Sequence, residues 1–209
     1  MQNKPLFVTG IGTSVGKTIV SAVICEQLQA DYWKPVQSGD LDNTDSDQVR
    51  KLISNTKTVI HPETFRLELA ASPHQSAKAQ GLAITHSAFQ IPKTDNQLLI
   101  EGAGGLFVPL ASDFLLSDLI RQLDAEVVLV IRNYLGCINH TLLSLHALAG
   151  LAIPLRHVVL NGNFNEDTRD IILANIPART TWSEMPEIRE LTRSCIASLK
   201  PQLHRPTTN

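Results

Sequence analysis

One stretch constrains this chain more than any other. Gly10-Ile11-Gly12-Thr13-Ser14-Val15-Gly16-Lys17-Thr18 sits between an apolar run, Leu6-Phe7-Val8, and a segment with Ile19, Val20, Val23, Ile24 and Leu28 at helical spacing. A short strand that runs through a glycine-rich loop straight into a helix points to sheet and helix in adjacent layers.

The rest of the chain keeps the same alternation. Tyr32 to Val36, Gln97 to Ile100, Glu126 to Ile131 and Arg156 to Leu160 read as strands, with Glu101 closing the second and Asn161-Gly162 breaking the last. Asp47 to Ile53, a segment opening at Ser72-Pro73, Leu115 to Leu123, Ile138 to Leu151, Asp167 to Ala174 and Glu187 to Leu199 read as helices. Gly102-Ala103-Gly104-Gly105 reads as a turn, and the polar tail from Pro201 to Asn209 as frayed. The expectation is one α/β domain over residues 1–209, with a mostly parallel central sheet covered by helices on both faces. Ligands of such sheets bind beyond the carboxyl ends of the strands. Gly10, Glu101 and Asn161 each end a proposed strand and are expected together on that edge.

Composition narrows the class. At 43% hydrophobic and 18% charged residues the 209-residue chain can bury a core, which excludes a disordered or fibrous protein. Lys+Arg is 18 against Asp+Glu 20, so the basic surplus of a nucleic-acid binder is missing. The longest apolar run, Val127-Val128-Leu129-Val130-Ile131, is too short to span a bilayer. Met1 to Pro5 carry no signal-peptide pattern, and the three cysteines (Cys25, Cys137, Cys195) lack paired spacing. A cytoplasmic location with reduced thiols is expected. The seven histidines show no metal-ligand spacing.

The loop has a definite chemistry. Its glycines let backbone N–H groups turn inward around phosphate oxygens, and the helix N-terminus adds partial positive charge. Lys17 would reach the terminal phosphates and the Thr18 hydroxyl a Mg²⁺ position, as in a Walker A loop. Ile11 stands where the strict Gly-x4-Gly-Lys-Thr pattern has its first glycine.

Four further stretches accompany this loop in order: Lys34-Pro35-Val36-Gln37-Ser38-Gly39, Ser72-Pro73-His74, Glu101-Gly102-Ala103-Gly104-Gly105 and Leu135-Gly136-Cys137-Ile138-Asn139-His140. Together they make the chain resemble the dethiobiotin synthetases, from residue 7 to about 161. The resemblance implies a three-layer P-loop NTPase fold. It also implies an ATP- and Mg²⁺-dependent cyclo-ligase that joins CO₂ to 7,8-diaminononanoate and closes a cyclic urea in biotin synthesis. The implied steps are carbamate formation, attack of the carbamate oxygen on the γ-phosphate, and capture of the mixed anhydride by the second amine.

Carried onto this sequence, the resemblance implies Lys34 and Lys17 as catalytic. It implies Ser14, Val15, Gly16, Lys17, Thr18, Ile19, Asp47, Glu101, Gly102, Ala103 and Gly104 as ATP-binding, with Asn161, Gly162, Met185 and Pro186 on the adenine side. Thr18, Asp47 and Glu101 would hold Mg²⁺; Asp45 is the near alternative to Asp47, and spacing does not choose between them. Thr13 and Ser38 would bind the diamine. Gly136, Cys137, Ile138 and Asn139 would hold its carboxylate from the partner subunit, which implies a homodimer. Departures from the family pattern include Ser14, where an acidic residue is usual, and Thr168, near the place of a substrate-contacting tyrosine.

The main alternative is a nucleotide-switch ATPase resembling ParA or MinD. Those loops carry a signature lysine where this chain has Gly12. A GTPase is disfavoured because Gly-Asn-Phe follows Asn161, and an amidating relative would need a glutaminase domain for which 209 residues leave no room.

Overall fold

Five consecutive buried residues, Leu6–Gly10, form β1, the middle strand of a seven-stranded sheet in the computed structural model, which describes residues 4–199. The chain then passes through the glycine-rich loop into α1 (Lys17–Leu28), β2 (Asp31–Trp33), β3 (Val36–Ser38) and α2 (Asp45–Leu52). Two short strands, β4 (Ile60–His61) and β5 (Phe65–Leu67), precede α3 (Pro73–Ala79). There follow β6 (Leu98–Gly105), β7 (Pro109–Ala111), β8 (Phe114–Leu115), α4 (Leu116–Gln122), β9 (Glu126–Arg132) and α5 (Cys137–Gly150). The last elements are β10 (Leu155–Asn161), α6 (Glu166–Ala174), β11 (Thr181–Met185) and α7 (Arg193–Ser198).

The large sheet has the order β11-β10-β9-β1-β6-β2-β4, and every pairing in it is parallel. Val127 to Ile131 in β9 are fully buried without alternation, as a strand covered on both faces must be. Helix α1 packs against α2 and α7, and α5 against α6, giving two groups that flank the sheet. No helix among the described residues is long and apolar enough to cross a membrane.

Local chemistry explains the element ends. At α2, the Thr44 hydroxyl accepts from Asp47 N at 3.1 Å while the Asp47 carboxylate accepts from Thr44 N at 3.2 Å, a reciprocal cap. Pro73 occupies the first turn of α3, where its missing N–H costs nothing.

Several expectations change. The run Tyr32 to Val36 is two strands, because Pro35 has no N–H for a ladder and its carbonyl instead accepts from Thr64 and Phe65. The Gly102 to Gly105 stretch is not a turn; β6 runs through it. A Cβ on Gly102 would lie 2.7 Å from Phe7 Cε1, and one on Gly105 would lie 3.2 Å from Gly10 O, so these glycines permit close packing on β1. The expected helix from Glu187 is present only from Arg193, where the Thr192 hydroxyl accepts from Cys195 N. Strand β11 was unforeseen: it is a polar edge strand, held to β10 through His157, whose ring nitrogens lie 2.6 Å from Thr181 Oγ1 and 2.8 Å from Ser183 Oγ. The tail from Pro201 to Asn209 lies outside the described residues.

Candidate active site

Beyond the carboxyl end of β1, between the phosphate loop, the Lys34 to Gly39 segment and β6, opens a cavity of about 820 Å³. Of the residues expected to meet ligands, Thr13, Ser14, Gly16, Lys17, Thr18, Ile19, Lys34, Ser38, Glu101, Gly102, Ala103 and Gly104 line it. Asp45, Gln37, Gln48, Ser72, Pro73 and Leu191 line it as well.

Its floor is a charged cluster. Lys34 Nζ lies 2.5 Å from Asp45 Oδ2 and 3.2 Å from Glu101 Oε1. The Thr18 hydroxyl donates to Glu101 Oε1 at 2.9 Å, and the Tyr32 hydroxyl donates to Oε2 at 2.9 Å. Lys34 and Glu101 are both buried, and an unpaired charge there would be costly. Burial alone would pull the Lys34 ammonium down, but Glu101 and Asp45 outweigh it, and its pKa is raised above the ordinary lysine value. Asp45 is shifted the other way: burial would raise it, and Lys34 together with the Thr18 hydroxyl brings it below the usual carboxylate range. Both members of the pair are therefore charged at neutral pH.

Lys17 differs. Burial lowers its pKa, with Glu101 opposing and the Lys34 charge reinforcing the shift. Its ammonium donates to Gly12 O across the loop at 3.3 Å.

The loop is braced from behind. Asn161 Nδ2 donates to Val15 O at 2.7 Å, and Gly16 sits over that amide with φ at 92°. A Cβ on Gly16 would lie 2.2 Å from Asn161 Nδ2, so only glycine fits. Asn161 is buried and outside the cavity lining. The expected base-reading amide is thus engaged with the loop, with one N–H and Oδ1 left for any further partner. Gly162 N donates to Met185 O at 2.8 Å, which places Met185 and Pro186 beside it at the sheet edge, away from the cavity wall.

The two aspartates expected as alternatives lie in different places. The Asp47 carboxylate meets the α2 cap and Arg50 at 2.6 Å and does not line the cavity. Asp45, the first residue of α2, does line it, because helix periodicity turns positions 45 and 47 to different sides. Gln37 fixes the helix start: its Oε1 accepts from Asp45 N and its Nε2 donates to Gly39 O.

Gly136, Cys137, Ile138 and Asn139 do not line this cavity either. Gly136 opens α5 at φ 102°, next to the wholly exposed Leu135, and the Tyr134 hydroxyl pairs with His140 Nδ1 at 2.7 Å. Thr168 lies in the first turn of α6, its N–H held by Asn165, and is likewise outside the cavity.

The donors fit a small hard cation. Thr18 Oγ1, the Glu101 carboxylate and the Asp45 carboxylate gather oxygen atoms at the mouth of the phosphate loop, and Mg²⁺ takes one or two carboxylates plus phosphate oxygens and water. Tyr32 joins this cluster without a motif to mark it; the one pointer in the sequence is its place two residues before Lys34 in an extended run, which puts both on one side, toward Glu101.

Residues 4–194 match the AAA domain family. The ATP-dependent dethiobiotin synthetase BioD of Cytophaga hutchinsonii is 44% identical over 201 residues, covering 96% of this chain and 97% of that protein. The protein of the same description from Christiangramia forsetii is 46% identical over 169 residues, 81% of each chain. Among solved structures, a ParA family ATPase from Chlorobium tepidum is similar over 94% of this chain and 97% of that one, at 12% identity and a TM-score of 0.48.

Proposed function

The chain belongs to the AAA domain family and, within it, to the ATP-dependent dethiobiotin synthetases, and on that premise we propose that it makes dethiobiotin from 7,8-diaminononanoate, CO₂ and ATP as a step of biotin synthesis. The observation that carries the reading onto this chain's own residues is the buried Lys34–Asp45–Glu101–Thr18 cluster flooring a cavity walled by the phosphate loop.

The residues divide the work. Loop amides and Lys17 receive the triphosphate, with Lys17 leaving Gly12 O for a phosphate oxygen. Ser38 presents a buried hydroxyl that has no partner among the described residues, a donor or acceptor available to a diamine or its carbamate. Carbamate formation places a new anion beside Lys34, whose ammonium is pre-positioned by Asp45 and Glu101. As the carbamate oxygen attacks the γ-phosphorus, that ammonium and Lys17 stabilise the charge growing on the phosphoryl oxygens. The second amine then displaces phosphate and closes the ring. Mg²⁺, held by Thr18, Asp45 and Glu101, would supply neutralisation of the phosphate charge.

The start of α5 is assigned to a partner. Gly136 to Asn139 lie outside the lining of their own cavity, near exposed Leu135 and Leu143, so in our reading two copies pair and each lends the other its carboxylate site. The chain acts as one domain and, with three free cysteines, belongs in the cytoplasm. The decisive experiment is an assay for a cyclic urea from diamine, bicarbonate and MgATP. Phosphate release that depends on both diamine and bicarbonate is expected; hydrolysis indifferent to them would end the proposal.

A further inference from the structure

Tyr32 is fully buried in the second strand of the main sheet, where Phe would fill the same space without a hydroxyl to satisfy. In the parallel pairing of β2 with β6, Tyr32 lies opposite Leu99. Leu99 and Glu101 share a face of β6, so the long tyrosine side chain on that face reaches along the strand to the carboxylate.

The contacts separate the two oxygens of Glu101. Oε1 receives the Thr18 hydroxyl at 2.9 Å and the Lys34 ammonium at 3.2 Å. Oε2 receives the Tyr32 hydroxyl at 2.9 Å, its one hydrogen bond from the described residues. A carboxylate without that bond could turn and exchange its oxygens; with it, one oxygen is fixed toward the sheet and the other toward Thr18.

We propose that Tyr32 is a positioning residue for the divalent cation: its hydroxyl anchors Glu101 Oε2 so that Oε1 is presented, already oriented, beside Thr18. The inference rests on the reading of Glu101 as a cation ligand. It assigns to a strand tyrosine the role that outer partners of metal-binding carboxylates commonly have.

The test uses the full chain with ADP and Mn²⁺ as the spectroscopic probe, titrated by electron paramagnetic resonance. Y32F is expected to bind Mn²⁺ about tenfold more weakly, with metal-free ADP affinity unchanged and turnover restored by raised Mg²⁺. Y32M, which fills the space flexibly and has no donor, should give the same loss, and it serves if Y32F lacks a cooperative melt. E101Q should weaken Mn²⁺ binding, and adding Y32F to it should weaken binding no further. Mn²⁺ affinity within about twofold of the parent in the folded Tyr32 variant overturns the inference alone. So does an equal Tyr32 effect in the E101Q background. Parent-like Mn²⁺ binding by E101Q overturns the cation reading of Glu101, and this inference with it.

Discussion

Lys34 and Asp45 form an ion pair, Nζ to Oδ2 at 2.5 Å, that joins the segment after β2 to the first residue of α2 at the base of the cavity. The Lys34 side chain is 5% exposed and that of Asp45 25%, so the contact is largely shielded from water and salt. It keeps the ammonium charged and stationary before any substrate arrives.

Replacing Lys34 by Met should therefore remove transition-state stabilisation while sparing nucleotide affinity. We expect turnover to fall by about 10²- to 10³-fold, ATP binding measured by calorimetry to change little, and the melting temperature to drop because two carboxylates lose their counter-ion. Near-normal turnover would take Lys34 out of the chemistry.

The two aspartates of α2 should separate cleanly. Asp45→Asn is expected to lower activity about 10- to 100-fold and raise the Mg²⁺ concentration needed for half-maximal rate. Asp47→Ala should cost roughly 1 kcal/mol of stability, because Thr44 N loses its side-chain acceptor and Arg50 its partner, and leave the Mg²⁺ dependence as it was. Parallel Mg²⁺ titrations and urea melts of both variants check this, and identical profiles would contradict it.

Asn161→Ala removes the bond that holds Val15 O. A buried carbonyl left without its donor costs about 1–3 kcal/mol, so ATP affinity should weaken by up to about a hundredfold while kcat at saturation stays close to the parent. A change confined to kcat would argue against a bracing role.

His157 makes stability depend on pH. Burial first, and then the Arg156 charge, lower its pKa from 6.5 to about 4. As pH falls the unfolded chain takes up the proton before the folded one, so this contribution is complete above 6.5 and is lost between 6.5 and 4. The full loss is about 3 kcal/mol. Urea unfolding at pH 7, 5.5 and 4 should show that slope in the parent and a shallower one in His157→Gln, which has no group that titrates in this range. Equal slopes would refute it.

Much of this molecule was legible in the sequence because it follows from local rules. The Gly10 to Thr18 loop, Pro73 at a helix start and the unbroken apolar run of β9 each identify their element without knowledge of the rest. What escaped depends on contacts between distant segments. Nothing local shows that Gly102 and Gly105 are small in order to lie against β1, or that polar Thr181 to Met185 pairs with β10 through a buried histidine. Choosing Asp45 over Asp47 required the helix start, which Gln37 and the Thr44 cap determine together. Tyr32 was hidden for the opposite reason: in a buried strand it looks like any other core aromatic.

The close seating of β6 on β1 has a mechanical consequence. With Phe7 and Gly10 filling the room that side chains at 102 and 105 would need, the strand bearing the phosphate grip and the strand bearing the acid are clamped with no slack between them. The cavity's freedom to widen then lies in its outer walls, at Ala70 to Pro73 and around Leu191, while the phosphate loop and Glu101 keep their mutual spacing.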